Sequence, residues 1–132
     1  MTALVRDRNT HQQDAGIVAI PLAANARVFA GALVVVGATG WGAPGSAATG
    51  LTYVGRAEEA VDNTGGANGA KAVPVRRRLA FRWANDGSIT QAHLMKTAYI
   101  VDDQTVAATD GSGTRSPAGR ILGIEADGVW VE

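Results

Sequence analysis

The sequence predicts an all-β fold: a small β-barrel or sandwich with one short helix and an extended N-terminal arm. Three observations carry this. Apolar residues recur with period two in short runs. Clusters of Gly, Asn, Asp, Ser and Pro separate the runs. No stretch of helical period is long enough to act as a crossover between parallel strands, so a parallel α/β sheet is excluded. A chain of 132 residues makes one domain, read as an arm over residues 1–16 and a single β-rich body over residues 17–132.

The elements follow in order. Residues 1–16 are polar, show no sustained period, and hold one apolar patch, Ala3-Leu4-Val5. Residues 17–20 form a short apolar run stopped by Pro21. Residues 27–36 are apolar on both alternating faces, with Val28, Ala30, Ala32, Val34 and Val36 on one and Phe29, Leu33 and Val35 on the other. A strand of that kind is covered on both sides. Residues 37–50 read as a loop, 51–57 as a strand and 62–70 as a second Gly-rich loop. Residues 71–84 give the clearest alternation: Val73, Val75, Arg77, Leu79, Phe81 and Trp83 face one way, and Ala72, Pro74, Arg76, Arg78, Ala80 and Arg82 the other. Pro74 cannot donate to a ladder, which places that end at an edge or a bulge. Asn85-Asp86-Gly87 closes the run as a turn. Residues 89–96 read as the one helix, with Thr90 as N-cap and Leu94 and Met95 facing inward. Residues 97–101 and 104–107 are strands around Asp102-Asp103, and 110–116 are a loop. Residues 120–126 and 129–131 flank Asp127-Gly128, a strong short hairpin signal.

Composition narrows the function. Twelve basic and twelve acidic residues cancel, so the cationic excess that drives non-specific binding to nucleic acid or anionic membrane is missing. With no cysteine, disulfide frameworks, thiolate zinc sites and cysteine nucleophiles are excluded, while the redox compartment stays open. Residues 1–16 lack the apolar core of a signal peptide. The most apolar run, residues 28–36, is too short to span a bilayer. Synthesis in the cytoplasm is the expectation. The chain holds 25 Ala and 17 Gly, which pack backbones closely but bury little area each, so its apolar surfaces suit completion by partners.

Motifs of catalysis are weak. Gly40-Trp41-Gly42-Ala43-Pro44-Gly45 matches G-x-G-x-x-G after an apolar strand, but Pro44, Gly45 and Gly50 leave no room for the helix that would face a pyrophosphate. Gly65-Gly66-Ala67-Asn68-Gly69-Ala70-Lys71 lacks the phosphate-loop spacing. His11 and His93 read as solvated, and Asp102, Asp103 and Asp110 as turn acids without EF-hand spacing. Ser46, Ser88, Ser112 and Ser116 lie in Gly-rich turns without a nucleophile elbow. The expectation is no enzyme, no cofactor and no metal. Arg76, Arg78 and Arg82 are instead expected to share one basic face that meets carboxylates across a protein interface. Phe81 and Trp83 lie on the opposite face, which argues against a nucleic-acid stacking platform.

From residue 51 onward the chain resembles the head-decoration, or capsid cement, proteins of tailed bacteriophages. The resemblance rests on Tyr53-Val54-Gly55-Arg56-Ala57, Val61-Asp62-Asn63, Val73-Pro74-Val75-Arg76-Arg77-Arg78 and Thr97-Ala98-Tyr99-Ile100-Val101-Asp102-Asp103-Gln104-Thr105-Val106. The ending Ala118-Gly119-Arg120-Ile121-Leu122-Gly123-Ile124 with Asp127-Gly128-Val129-Trp130-Val131 adds to it. It implies a β-barrel or β-tulip body without enzymatic activity, on the outer capsid surface of a virion. It also implies trimers at three-fold positions and an N-terminal arm that contacts the major capsid protein. An extended 16-residue arm reaches about 50 Å and adds main-chain hydrogen bonds at a neighbour's sheet edge. Ala3, Leu4, Val5, Arg6 and Arg8 are its expected capsid contacts, and Arg76, Arg78 and Arg82 the expected subunit or capsid interface. The alternative is a phage or cell-surface β-domain that binds a carbohydrate or receptor through the loops at 37–50 and 62–70.

Overall fold

The structure, a computed structural model, describes residues 2–132. Its strands are β1 (Ile17–Pro21), β2 (Arg27–Val28), β3 (Leu33–Val36), β4 (Gly42–Pro44), β5 (Thr52–Ala57), β6 (Val61–Asp62), β7 (Ala72–Arg76), β8 (Phe81–Asn85), β9 (Thr97–Ile100), β10 (Thr105–Ala107), β11 (Pro117–Glu125) and β12 (Gly128–Val131). The fold is all-β, as the alternation predicts. One five-stranded sheet runs β1-β7-β5-β3-β4, the C-terminal half closes as a barrel in the order β10-β8-β12-β11-β9, and β2 pairs with β6.

The barrel shows why period two is so legible here. On β8, Phe81 and Trp83 are buried while Arg82 and Ala84 are exposed. Ala98 and Ile100 of β9 and Val129 and Val131 of β12 are buried in the same alternating way. The ring is antiparallel except at β8–β10, where Thr105 lies opposite Ala84 and Val106 opposite Asn85 in parallel. A parallel pair needs a long connection, and residues 86–104, including β9, provide it.

The sheet curls until its edges meet. Leu22, just after β1, bridges to Gly42 of β4, and the Ala23 N–H donates to the Gly42 carbonyl at 2.9 Å. Leu22, Val28, Val34, Val73 and Val75 pack together on one side of this sheet. Leu33 and Val35 point the other way, into the cluster of Phe81, Trp83, Ile100, Ile121 and Val129. β3 is therefore buried on both faces, and successive residues feed two different cores. Polar contacts also tie sheet to barrel. The Leu33 N–H donates to the Asp103 carbonyl at 2.8 Å, Trp83 Nε1 donates to Tyr53 Oη at 3.2 Å, and Ser116 Oγ donates to the Ala48 carbonyl at 2.7 Å.

Several expectations are corrected. The run at 27–36 is two strands, β2 and β3, broken by a turn in which the Ala32 N–H donates to the Phe29 carbonyl and Gly31 takes φ +83°. Phe29 is left exposed there. The run at 71–84 also breaks, at residues 77–80, with Arg78 at φ +64°. β7 pairs with β1 and β5 in the sheet, whereas β8 pairs with β12 and β10 in the barrel. Four intervening residues preserve parity, so odd positions are buried on both sides of a break that alternation cannot reveal. The helix at 89–96 shrinks to a single 3-10 turn, Gln91–His93. Leu94 and Met95 are exposed instead of facing inward. The loop at 37–50 contains β4. The hairpin turns at Ala126-Asp127 and not at Asp127-Gly128, since Glu125 pairs with Gly128. Gly128 is needed for space: a Cβ there would lie 2.6 Å from Arg82 Cγ and 2.8 Å from the Trp83 carbonyl.

Because Leu33 is fully buried at the junction of sheet and barrel, Leu33→Ala is expected to cost about 2–5 kcal/mol. Urea unfolding followed by far-UV circular dichroism and by tryptophan fluorescence should show the same loss in both signals. Loss in the tryptophan signal alone would mean that barrel and sheet unfold independently.

Candidate functional site

The arm offers peptide chemistry and little else. Residues 2–16 form neither strand nor helix, and Ala3, Leu4, Val5, Arg6 and Arg8 are all exposed, Val5 to 95%. Met1 lies outside the described residues. Internal bonds are sparse: the Thr10 N–H donates to the Arg8 carbonyl at 3.1 Å, and Asp14 accepts the Gly16 N–H at 2.9 Å. The arm is fixed at its base, where the Gly16 carbonyl accepts the Arg77 N–H at 2.9 Å and β1 pairs with β7 from Ile17 opposite Arg76 to Pro21 opposite Ala72. A segment with an apolar patch and two nearby cations, held only at one end, is suited to laying main chain and side chains on another surface.

The three arginines do not lie along one continuous strand. Arg76 belongs to the sheet and reaches Glu58 at 3.5 Å. Arg78 sits in the break between β7 and β8. Arg82 lies on the outside of the barrel, 3.3 Å from Glu125 and 3.4 Å from Asp127, with its guanidinium 5.8 Å from the Trp130 ring centre. The single basic strand face expected from 71–84 is replaced by two separate arginine–carboxylate clusters with Arg78 between them. The reason is the same break that splits the strand.

Sequence reasoning missed Arg56 and the carboxylates. Arg56 donates to Glu58 at 2.8 Å and lies 4.9 Å over the Phe81 ring. Trp130 Nε1 donates to Glu125 at 2.6 Å. A cleft lined by Gly31, Arg56, Leu79, Phe81, Arg82 and Trp130 runs between these clusters. A guanidinium over a ring gains cation–π attraction, so much of the arginine inventory is engaged within the chain. The signal available in sequence was Arg82 with Trp130 across the β8–β12 pair, which only the register makes adjacent.

Other sites resolve simply. Asp102 accepts the Gln104 N–H at 2.9 Å as a turn residue, and His93 Nδ1 accepts the Thr90 N–H at 3.0 Å. Among the described residues no three His, Asp or Glu side chains gather to hold a metal ion. Gly42 of the G-x-G-x-x-G stretch is buried in β4 against Ile20 and Leu22, so the stretch is sheet and not a phosphate cradle. The loops at 37–50 and 62–70 do meet, with the Trp41 ring against Gly69. Asn63 and Asn68 of the second loop bond backbone: Asn63 Nδ2 donates to the Ala23 and Ala67 carbonyls while its buried Oδ1 has no partner among the described residues, and Asn68 Oδ1 accepts the Ala24 N–H. Among the described residues no helix is long and apolar enough to cross a membrane.

Two titrations follow from this geometry. The Arg56 hydrogen bond, helped by the charges of Arg76 and Arg56, holds the Glu58 carboxyl below its ordinary 4.5. A carboxyl held low when folded stabilises above that value, and the contribution is lost as pH falls through the folded pKa. Glu58→Gln should flatten the acid limb of thermal stability below pH 4.5, and an unchanged limb would refute the role of Glu58. Burial pushes the Tyr53 hydroxyl up to about 12, opposed by the Trp83 hydrogen bond. Its unfolded form ionises near 10, so stability falls as pH rises from 10 towards 12. Tyr53→Phe should remove the late component of tyrosinate absorbance in that window, and its persistence would contradict the burial of Tyr53. Compared with protein-family models, with curated proteins and with solved structures, the chain matches none.

Proposed function

We propose that the chain is a structural virion protein that binds the outside of a phage capsid and cements adjacent copies of the major capsid protein against the pressure of packaged DNA. The observation that carries this reading is the arm: thirteen exposed residues, 2–14, leading through half-buried Ala15 and Gly16 into a compact body that anchors them only at Gly16 and β1. The sequence resemblance to capsid cement proteins supports the same role. Three copies around a three-fold position would present three arms together, and linked weak contacts gain avidity well beyond one alone. The β-rich body then acts as a rigid clamp, and no covalent chemistry is asked of it. The outer capsid surface is the location, and the major capsid protein the partner.

The alternative, recognition of a carbohydrate or receptor by the two Gly-rich loops, draws on the contact of Trp41 with Gly69. It is weakened because Asn63 and Asn68 are already hydrogen-bonded inside the chain.

Copy number in purified virions, measured by quantitative mass spectrometry against the major capsid protein, should be near one to one. A few copies, or none, would overturn the cement role. Deleting residues 2–16 should abolish binding to undecorated capsids while the melting temperature of the body changes little. Retained binding would remove the arm from the mechanism.

A further inference from the structure

We propose that the seam between the sheet and the barrel is a docking groove for a short acidic peptide segment that carries apolar side chains, supplied by a partner protein. The groove encloses about 520 Å³. Tyr53 and Val54 of β5, residues 77–80 and Leu122 of β11 line it. The inference goes beyond the capsid reading and does not depend on it.

Four features of the seam converge. The first is strain: Arg78 holds φ +64°, a conformation unfavourable for a non-glycine residue that persists where the surroundings impose it. The second is backbone. Among the described residues, Arg78, Leu79 and Ala80 neither donate nor accept a backbone–backbone hydrogen bond. A short stretch of main chain is thus open to an incoming strand. The third is apolar surface. Leu79 is 54% exposed and Leu122 38%, and two distant segments bring them to the same groove.

The fourth is charge. Arg56, Arg76 and Arg82 are all ion-paired within the chain. Arg77 and Arg78, which line the groove, have no ion pair among the described residues, and neither does Arg120. Arg120 lines the adjoining depression, which shares Tyr53 with the groove. Against these three cations the lining offers one acid, Glu132. Carboxylates between apolar side chains fit this pattern, because arginine binds them bidentately. A second copy's arm does not fit, since Arg6 and Arg8 beside its Ala3-Leu4-Val5 patch would meet like charge. A nucleic-acid strand lacks the row of exposed rings on which bases stack, Tyr53 being the single ring beside Phe81 on this groove.

The test uses the full chain and an array of decapeptides with leucine at alternate positions. The intervening positions are all Asp/Glu, all Lys or all Gln. The acidic set should be retained at least tenfold more strongly than the other two. The tightest acidic peptide should shift the backbone amides of residues 77–80 and Leu122 in an NMR titration. The double variant Arg77→Glu/Arg78→Glu should weaken that peptide at least tenfold with an unchanged melting temperature, and Leu79→Ser should weaken it also. Retention of no peptide, equal retention of the Lys or Gln set, or shifts centred away from the seam would overturn the proposal. Competition by a single-stranded oligonucleotide at the same amides, as strong as by the acidic peptide, would overturn it too.

Discussion

The architecture depends on one constraint: β3 has no solvent face. Leu33 and Val35 complete the barrel core while Val34, between them, belongs to the core of the sheet. Burial of each such side chain contributes about 1.5–3 kcal/mol, and here the contributions to two cores are joined through one backbone. A shift of β3 by a single residue would exchange its faces and spoil the packing of both cores at once. That is why the turn before it, at Gly31, and the bonds around it, to Asp103 and to Gly45, hold its register so closely. Sheet and barrel are a single unit because neither owns the strand between them.

Most strands were legible from alternation, because in a small barrel each strand has one buried face. β8 and β9 follow that rule, and β12 follows it from Val129 onward. β3 was legible by a different route, since a run apolar on both faces has to be covered on both. What alternation could not show was where a long run changes partners. Residues 71–84 keep their parity across the passage from sheet to barrel, so the break at Arg78 has no signature in hydrophobicity. The same blindness misplaced the arginine face, which was only as continuous as the strand. The helix at 89–96 failed for another reason: its apolar residues, Leu94 and Met95, had no core left to enter once the barrel had closed with Ile89, Ile100 and Ile121. The carboxylates that meet Arg76 and Arg82, Glu58 just after β5 and Glu125 of β11, are distant in sequence, and the alternation of residues 71–84 carries no trace of them.

The body handles its charge economically. Net charge is zero, yet the positive groups are unevenly engaged. Arg56, Arg76 and Arg82 are tied to carboxylates, and two of them also lie over rings. Such exposed pairs contribute little to stability individually, but they remove cations from the surface available to strangers. Among the described residues, no ion pair is made by Arg6 and Arg8 of the arm, by Arg77, Arg78 and Arg120 at the seam, or by Arg27, Lys71, Lys96 and Arg115 elsewhere on the body.

The pairing of β1 with β7 also decides how the arm carries load. The arm enters at Ile17, opposite Arg76, at the same end of the ladder where β7 leaves for residues 77–80. A pull along the axis of β1 shears the ladder, so the hydrogen bonds from Ile17 to Pro21 resist together. A pull perpendicular to that axis peels the strand from Ile17 inward, one bond at a time, at much lower force. The tether is therefore strong in one direction and weak in another, and the orientation of the body relative to whatever the arm grips sets the tension the joint survives.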